Sequence, residues 1–141
     1  MATRSRIAIE NQDGSVISIY CHWDGHIETN GKILFENYDK EKTEQLIALG
    51  NISVLGALLE PTGGVQSFNS PEKGVTVAYH RDRKEDLMQK LYLSVEDLYE
   101  CGFNSGEEYV YCLTKDSIWL VGRHNSNNVE ILKEALEEIE A

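Results

Sequence analysis

The stretch Tyr20-Cys21-His22-Trp23-Asp24-Gly25-His26 gathers two histidines, a carboxylate and a tryptophan within seven residues. His22, Asp24 and His26 are ligand types that suit zinc or manganese, with His80 or Asp82 as further donors. The spacing opposes that chemistry. On an extended strand, alternate residues point the same way but stand about 7 Å apart, too far to share one ion without a bend at Gly25. No HExxH and no cysteine pair completes a site, so no metal and no cofactor is expected. General acid–base chemistry would take His22 as the base with Asp24 orienting it. Paired HxT/S motifs are missing, and the isolated His80-Arg81-Asp82 lacks the glycine-rich loop and DFG of a kinase. We therefore expect no catalytic residues.

Binding chemistry suits the same residues better. Trp23 offers a stacking face, His22 a switchable donor, and Asp24-Gly25 a turn whose amides could face a ligand. Lys32, at the start of the next helix, adds a charge beside that helix's free N–H groups. Tyr79, His80, Arg81 and Arg83 supply an aromatic and a pair of guanidinium forks, the geometry phosphate recognition uses. Arg4 and Arg6 at the mouth of the first strand could join them. The plainer alternative buries Trp23 in the core and pairs the arginines with some of the chain's 24 acids.

The elements that must position these residues follow from periodicity. Residues 6–23 read as a hairpin, with Ile17, Ile19, Cys21 and Trp23 on one apolar face and Asp13-Gly14 at the turn. Residues 24–31 leave the strand as a loop. Short helices follow over 32–38 and from Asp39, the N-cap, to Gly50. Residues 52–74 read as irregular, with a short strand near 65–68. Residues 74–81 read as a third strand, with Val75, Val77 and Tyr79 on one side. Ser94 and Asp97 form a capping box for a helix ending at Gly102. Residues 107–123 read as a second hairpin turning at Lys115-Asp116-Ser117. A last helix is expected from an Asn127 cap, with Val129, Leu132, Leu136 and Ile139 as its apolar stripe and glutamates outside. This order predicts one α+β domain over 1–141, an antiparallel sheet of about five strands with helices mainly on one face.

Composition narrows the partners. A formal charge of −11 opposes general binding to nucleic-acid polymers or anionic membranes. Yet residues 79–84 carry Arg81, Arg83 and Lys84 against Asp82 alone, a local cationic patch on an acidic body. No apolar run is long enough to span a membrane, and no signal-peptide core or myristoylation glycine is present at the start, so a cytoplasmic location is expected. Three cysteines at wide spacing, Cys21, Cys101 and Cys112, are expected to be reduced thiols acting as small hydrophobes.

The segments TRSRIAIENQDGSVISIYCHWDGHIETNGKILFENY, LIALGNISVLG and SFNSPEKGVTVAYHRDRKED resemble a family of small proteins common in phage genomes. The likeness covers residues 3–38, 46–56 and 67–86. The family pattern has Tyr-Pro where this chain has His26-Ile27, which makes His26 dispensable, and glycine where this chain has Lys84. The resemblance implies a phage protein acting in the host cytoplasm. Small phage proteins of this kind are similar in character to immune-evasion sponges that sequester cyclic nucleotide signals, the anti-CBASS type. The expectation is then a non-enzymatic homo-oligomer that binds a cyclic nucleotide such as a cyclic dinucleotide. Arg81 and Arg83 would meet phosphate, Trp23 and Tyr79 would stack, and His22, Asp24, Lys32 and His80 would shape the pocket. The alternatives are an acidic protein inhibitor or DNA mimic acting on a host nucleic-acid-binding protein, and a small nucleotide hydrolase.

Overall fold

The hairpin that opens the chain forms as its pattern requires. In the computed structural model, which describes residues 2–140 apart from 63–65, 125 and 127, β1 (Ser5–Glu10) and β2 (Val16–Cys21) pair antiparallel with Ile7 opposite Ile19 and Ile9 opposite Ile17. Asp13 Oδ1 accepts from both the amide and the hydroxyl of Ser15, and Gly14 takes a positive φ of 89° that a side chain would strain.

Among the described residues the sheet around this hairpin is mixed and has eight strands, not the antiparallel five that periodicity predicts. Its order is β4-β3-β2-β1-β6-β7-β8, with β5 on the same edge of β2 as β3. The second hairpin, β6 (Tyr109–Leu113) and β7 (Trp119–Arg123), lies where expected, but β6 runs parallel to β1, with Ile7 opposite Tyr111. Two strands come from segments without alternation: β3 (Ile52–Val54), parallel to β2, and β5 (Lys90–Tyr92), antiparallel to it. At three residues, neither is long enough to display a period of two.

The expected third strand is cut short. Only Val77–Ala78 pairs, as β4, and Tyr79–Arg83 coils into a helical turn, α3. The cause is Asp82, whose carboxylate reaches back to accept from the Ala78 amide at 2.8 Å and closes the turn. Lys84 then ends it in the left-handed conformation at φ 59°. The tail is corrected too. Val129–Ile131 adds to β7 as β8, and the helix α5 begins only at Leu132, running to Glu140. Val129 therefore leaves the predicted stripe, Ile139 is exposed, and Leu132 and Leu136 alone are buried. The Asn127 cap and part of the strand expected near 65–68 fall outside the described residues.

Helices cover the sheet unevenly. α1 (Lys32–Asn37), α2 (Lys40–Ala48) and α5 lie on one face, where Ile7, Ile19, Leu34, Leu46, Tyr111 and Leu132 form the main core. α4 (Val95–Cys101) closes a smaller cluster of Ala8, Val16, Leu98, Val110 and Cys112 on the other face. The caps are as predicted: Asp39 accepts from the Lys42 amide at 2.9 Å and Ser94 from Asp97 at 3.0 Å. Each fully buried aliphatic side chain contributes roughly 1.5–3 kcal/mol. Cys21 and Cys112 lie in these two cores, and all three cysteines are free thiols. Among the described residues, no helix is long and apolar enough to cross a membrane.

Candidate functional site

The edge of β2 forks. β3 pairs near its C-terminal end at Cys21 and β5 near its start at Val16–Ser18, which leaves Tyr20 between them. Asn51 fills the gap. Its side-chain oxygen accepts from the Tyr20 amide at 2.8 Å, its own amide donates to Met88 O at 2.9 Å, and its carbonyl accepts from the Tyr79 amide at 3.2 Å. One asparagine thus joins three segments and opens a shallow crevice of about 250 Å³ lined by Tyr20, Asn51, Tyr79, Glu85, Asp86 and Met88.

Above the fork, the segment 22–26 is held from beneath. Gly25 sits so close to Thr3 that a Cβ would lie 2.8 Å from its carbonyl oxygen, which excludes any other residue without movement. Tyr111 Oη donates to Gly25 O at 2.6 Å, and Asn30 Nδ2 donates to Trp23 O at 3.0 Å and to Cys21 Sγ at 3.4 Å. Asp24 is left at φ 60°, a conformation uncommon for a residue with a side chain, and Thr29 ties its carbonyl down. The result is an exposed tip on a rigid base. Trp23 is 43% exposed rather than on the apolar face, and it meets His22 edge-on with ring centroids 4.9 Å apart. His22 Nδ1 in turn lies 2.9 Å from Tyr20 Oη. Trp23, His22 and Tyr20 therefore form one chain of contacts that leads down into the crevice.

A second aromatic array joins the crevice through Tyr79. Tyr79 stacks on Phe68 with centroids 5.6 Å apart, and the Arg83 guanidinium lies 4.7 Å from the centre of the Phe68 ring. Arg83 also pairs with Glu85 at 3.3 Å but stays more than half exposed. His80 Nδ1 bonds to Glu85 O at 2.7 Å, which orients this ring along the same loop.

The remaining predicted residues go elsewhere. Arg81 spends its fork within the chain: Nη1 donates to Leu59 O at 2.7 Å, Nη2 to Thr76 O at 2.6 Å, and Nε to Asp82 at 3.0 Å. Burial pushes the Asp82 carboxyl up, but hydrogen bonds from Arg81, Ala78 and Gln66, with the Arg81 charge, outweigh it and hold the group below 3.8. Arg81 and Asp82 are thus a local lock on the 59–82 region. Lys32 pairs with Glu140 at 3.5 Å beside α5, and His26 turns to Thr3 Oγ1 and the Tyr109 ring. The first amides of α1 are not free either, since a wide helical turn over Ile27–Gly31 runs straight into that helix. The amides of Trp23 and Gly25 bond to Ser53 O and Thr3 O, which removes them from ligand contact. Among the described residues, no three His, Cys, Asp or Glu side chains converge as a metal site.

Arg6 is buried on the crevice face, donating to Glu107 at 2.7 Å and to Ser18 Oγ at 3.0 Å, while Arg4 stays exposed. Burial raises the Tyr20 phenol, and the nearby Arg4 charge opposes that rise. Tyr20, Asn51 and Phe68 are participants that sequence patterns miss. Tyr20 had a signal, since it shares strand parity with His22. Asn51 and Phe68 had none, because their roles depend on segments distant in sequence. A larger cleft, about 670 Å³, lies at the opposite end of the sheet, between Phe35, Trp119, Ile118 and Ile131 with Lys40 and Lys133 at its margin. It contains none of the predicted site residues. No protein-family model, curated protein or solved structure matches this chain.

Proposed function

We propose that the chain is a non-enzymatic binding protein of the phage immune-evasion type, which sequesters a cyclic nucleotide intact at the forked edge of its sheet. The observation that carries the reading is the pair of aromatic arrays, Trp23-His22-Tyr20 and Tyr79-Phe68-Arg83, which join one crevice at one end of the sheet. Bases stack on such rings for about 1–3 kcal/mol each, without regard to base identity. Arg83 and Arg4 take the phosphate-binding roles, since Arg81 is committed within the chain. At about 250 Å³ the crevice is smaller than the roughly 300–1,000 Å³ typical of drug-sized ligands, so the nucleotide lies across it against the aromatic faces.

Burial pushes both Cys21 and Cys112 up to about 12, so neither supplies a thiolate near neutral pH. The test is incubation with cyclic dinucleotides and cyclic ADP-ribose isomers, followed by calorimetry, heat denaturation and chromatography of what is released. Recovery of intact nucleotide after saturable, salt-sensitive binding supports the reading. Absence of heat across the panel removes it, and a cleaved product replaces it with a hydrolase.

A further inference from the structure

The main chain at the tip of β2 is pinned. The Tyr20 amide donates to Asn51 Oδ1 at 2.8 Å, the His22 amide to Ile52 O at 3.2 Å and the Trp23 amide to Ser53 O at 3.0 Å. What remains to be set at His22 is the ring: which edge faces Tyr20, and which nitrogen carries the proton. The edge-on contact with Trp23, 4.9 Å between centroids, constrains the plane of the ring but not that choice. The Tyr20 hydroxyl does make it, because it meets the ring at Nδ1, 2.9 Å away. The reverse flip would put a ring carbon there and lose the bond.

The chemistry of the pair fixes the proton as well. A neutral imidazole has one N–H and one bare nitrogen, and the bond made by one nitrogen sets the state of the other. A phenol O–H is far more acidic than an imidazole N–H, and the bare imidazole nitrogen is the more basic acceptor. The stronger pairing therefore has Tyr20 donating to Nδ1, which leaves the proton on Nε2. Among the described residues Nε2 has no hydrogen-bond partner and is not a buried unsatisfied atom, so it meets solvent on the half-buried ring. We infer that Tyr20 is a positioning residue for His22: its hydroxyl holds the ring in one flip and one tautomer, with Nε2–H a fixed, uncharged donor beside Trp23. On the nucleotide-binding reading, which this role presupposes, that donor meets an oxygen of the nucleotide whose base stacks on Trp23. A donor already ordered in the free protein avoids part of the ordering cost of binding.

Nitrogen-15 NMR of the histidine rings reads the tautomer directly, in the full chain without nucleotide at about pH 8.5, where an ordinary imidazole is neutral. Signals that vanish in His22→Ala belong to His22. The expected result is one tautomer, with the proton on Nε2 and Nδ1 shifted as a hydrogen-bond acceptor. Tyr20→Phe removes the hydroxyl alone, so circular dichroism should match the parent while both tautomers appear. Calorimetric titration of cyclic di-AMP into each protein then reads the consequence. Tyr20→Phe should weaken binding about two- to fourfold, since two flips and two tautomers then share the population. In the His22→Ala background the same change should have almost no effect, which a merely structural tyrosine would not show. A proton on Nδ1, a tautomer mixture in the parent, a Tyr20→Phe spectrum like the parent's, or losses that add in the double variant overturn the inference. A fixed Nε2–H in a parent that gives no heat with any cyclic nucleotide counts against the functional reading alone.

Discussion

Arg81 separates a structural arginine from a ligand-binding one. Its guanidinium donates to Leu59 O, Thr76 O and the Asp82 carboxylate, and its side chain is 23% exposed. Arg81→Ala removes these bonds together and leaves two carbonyls and a carboxylate short of partners. Charge-assisted bonds contribute about 1.5–3 kcal/mol each, and partial exposure lets water replace some of them, so a net loss of about 2–4 kcal/mol follows. For a chain of this size each kcal/mol lowers Tm by roughly 2–4 °C, giving a fall of about 4–16 °C. Arg81→Lys should recover only part of it, since an ammonium cannot reach three acceptors in the plane of a fork. Arg83→Ala makes the opposite pattern, with Tm nearly unchanged and nucleotide affinity reduced. The measurements are a thermal melt and a calorimetric titration of each variant. An Arg81→Ala protein that melts like the parent but no longer binds nucleotide would refute the reasoning and return Arg81 to the ligand.

Glu107→Gln strands the buried Arg6 charge and should cost about 3–5 kcal/mol in urea denaturation, whereas exchanging both partners for apolar residues should be far milder. Asp82 is held below its ordinary 3.8, so its contribution to stability is complete above that value and is lost as pH falls through the lower folded value. Asp82→Asn should therefore flatten the part of the stability profile below about pH 4, seen by denaturation at stepped pH. Cys21 and Cys112, pushed up to about 12 by burial, should resist an aromatic disulfide reagent at mildly alkaline pH until the chain is unfolded, when both should react.

What the residue order determined by itself is local. The Asp13-Gly14 hairpin, the Asp39 and Ser94 caps and the turn at Lys115–Ser117 all arise from contacts within a few positions, so their signals sit beside the structures they make. The α+β class followed from those elements. What only the tertiary structure decided is everything that depends on distant segments meeting. β3 and β5 are too short to show a period and exist because β2 offers them an edge. Residues 79–81 were expected to continue the third strand, yet they coil with Asp82 and Arg83 because Asp82 finds the Ala78 amide and Arg81 finds Leu59. Trp23 looked like core on parity, but the chain bends at Asp24 and leaves it at the surface. The fork at Asn51 exists because one side chain bonds across 31 positions to a strand that no local pattern connects with it.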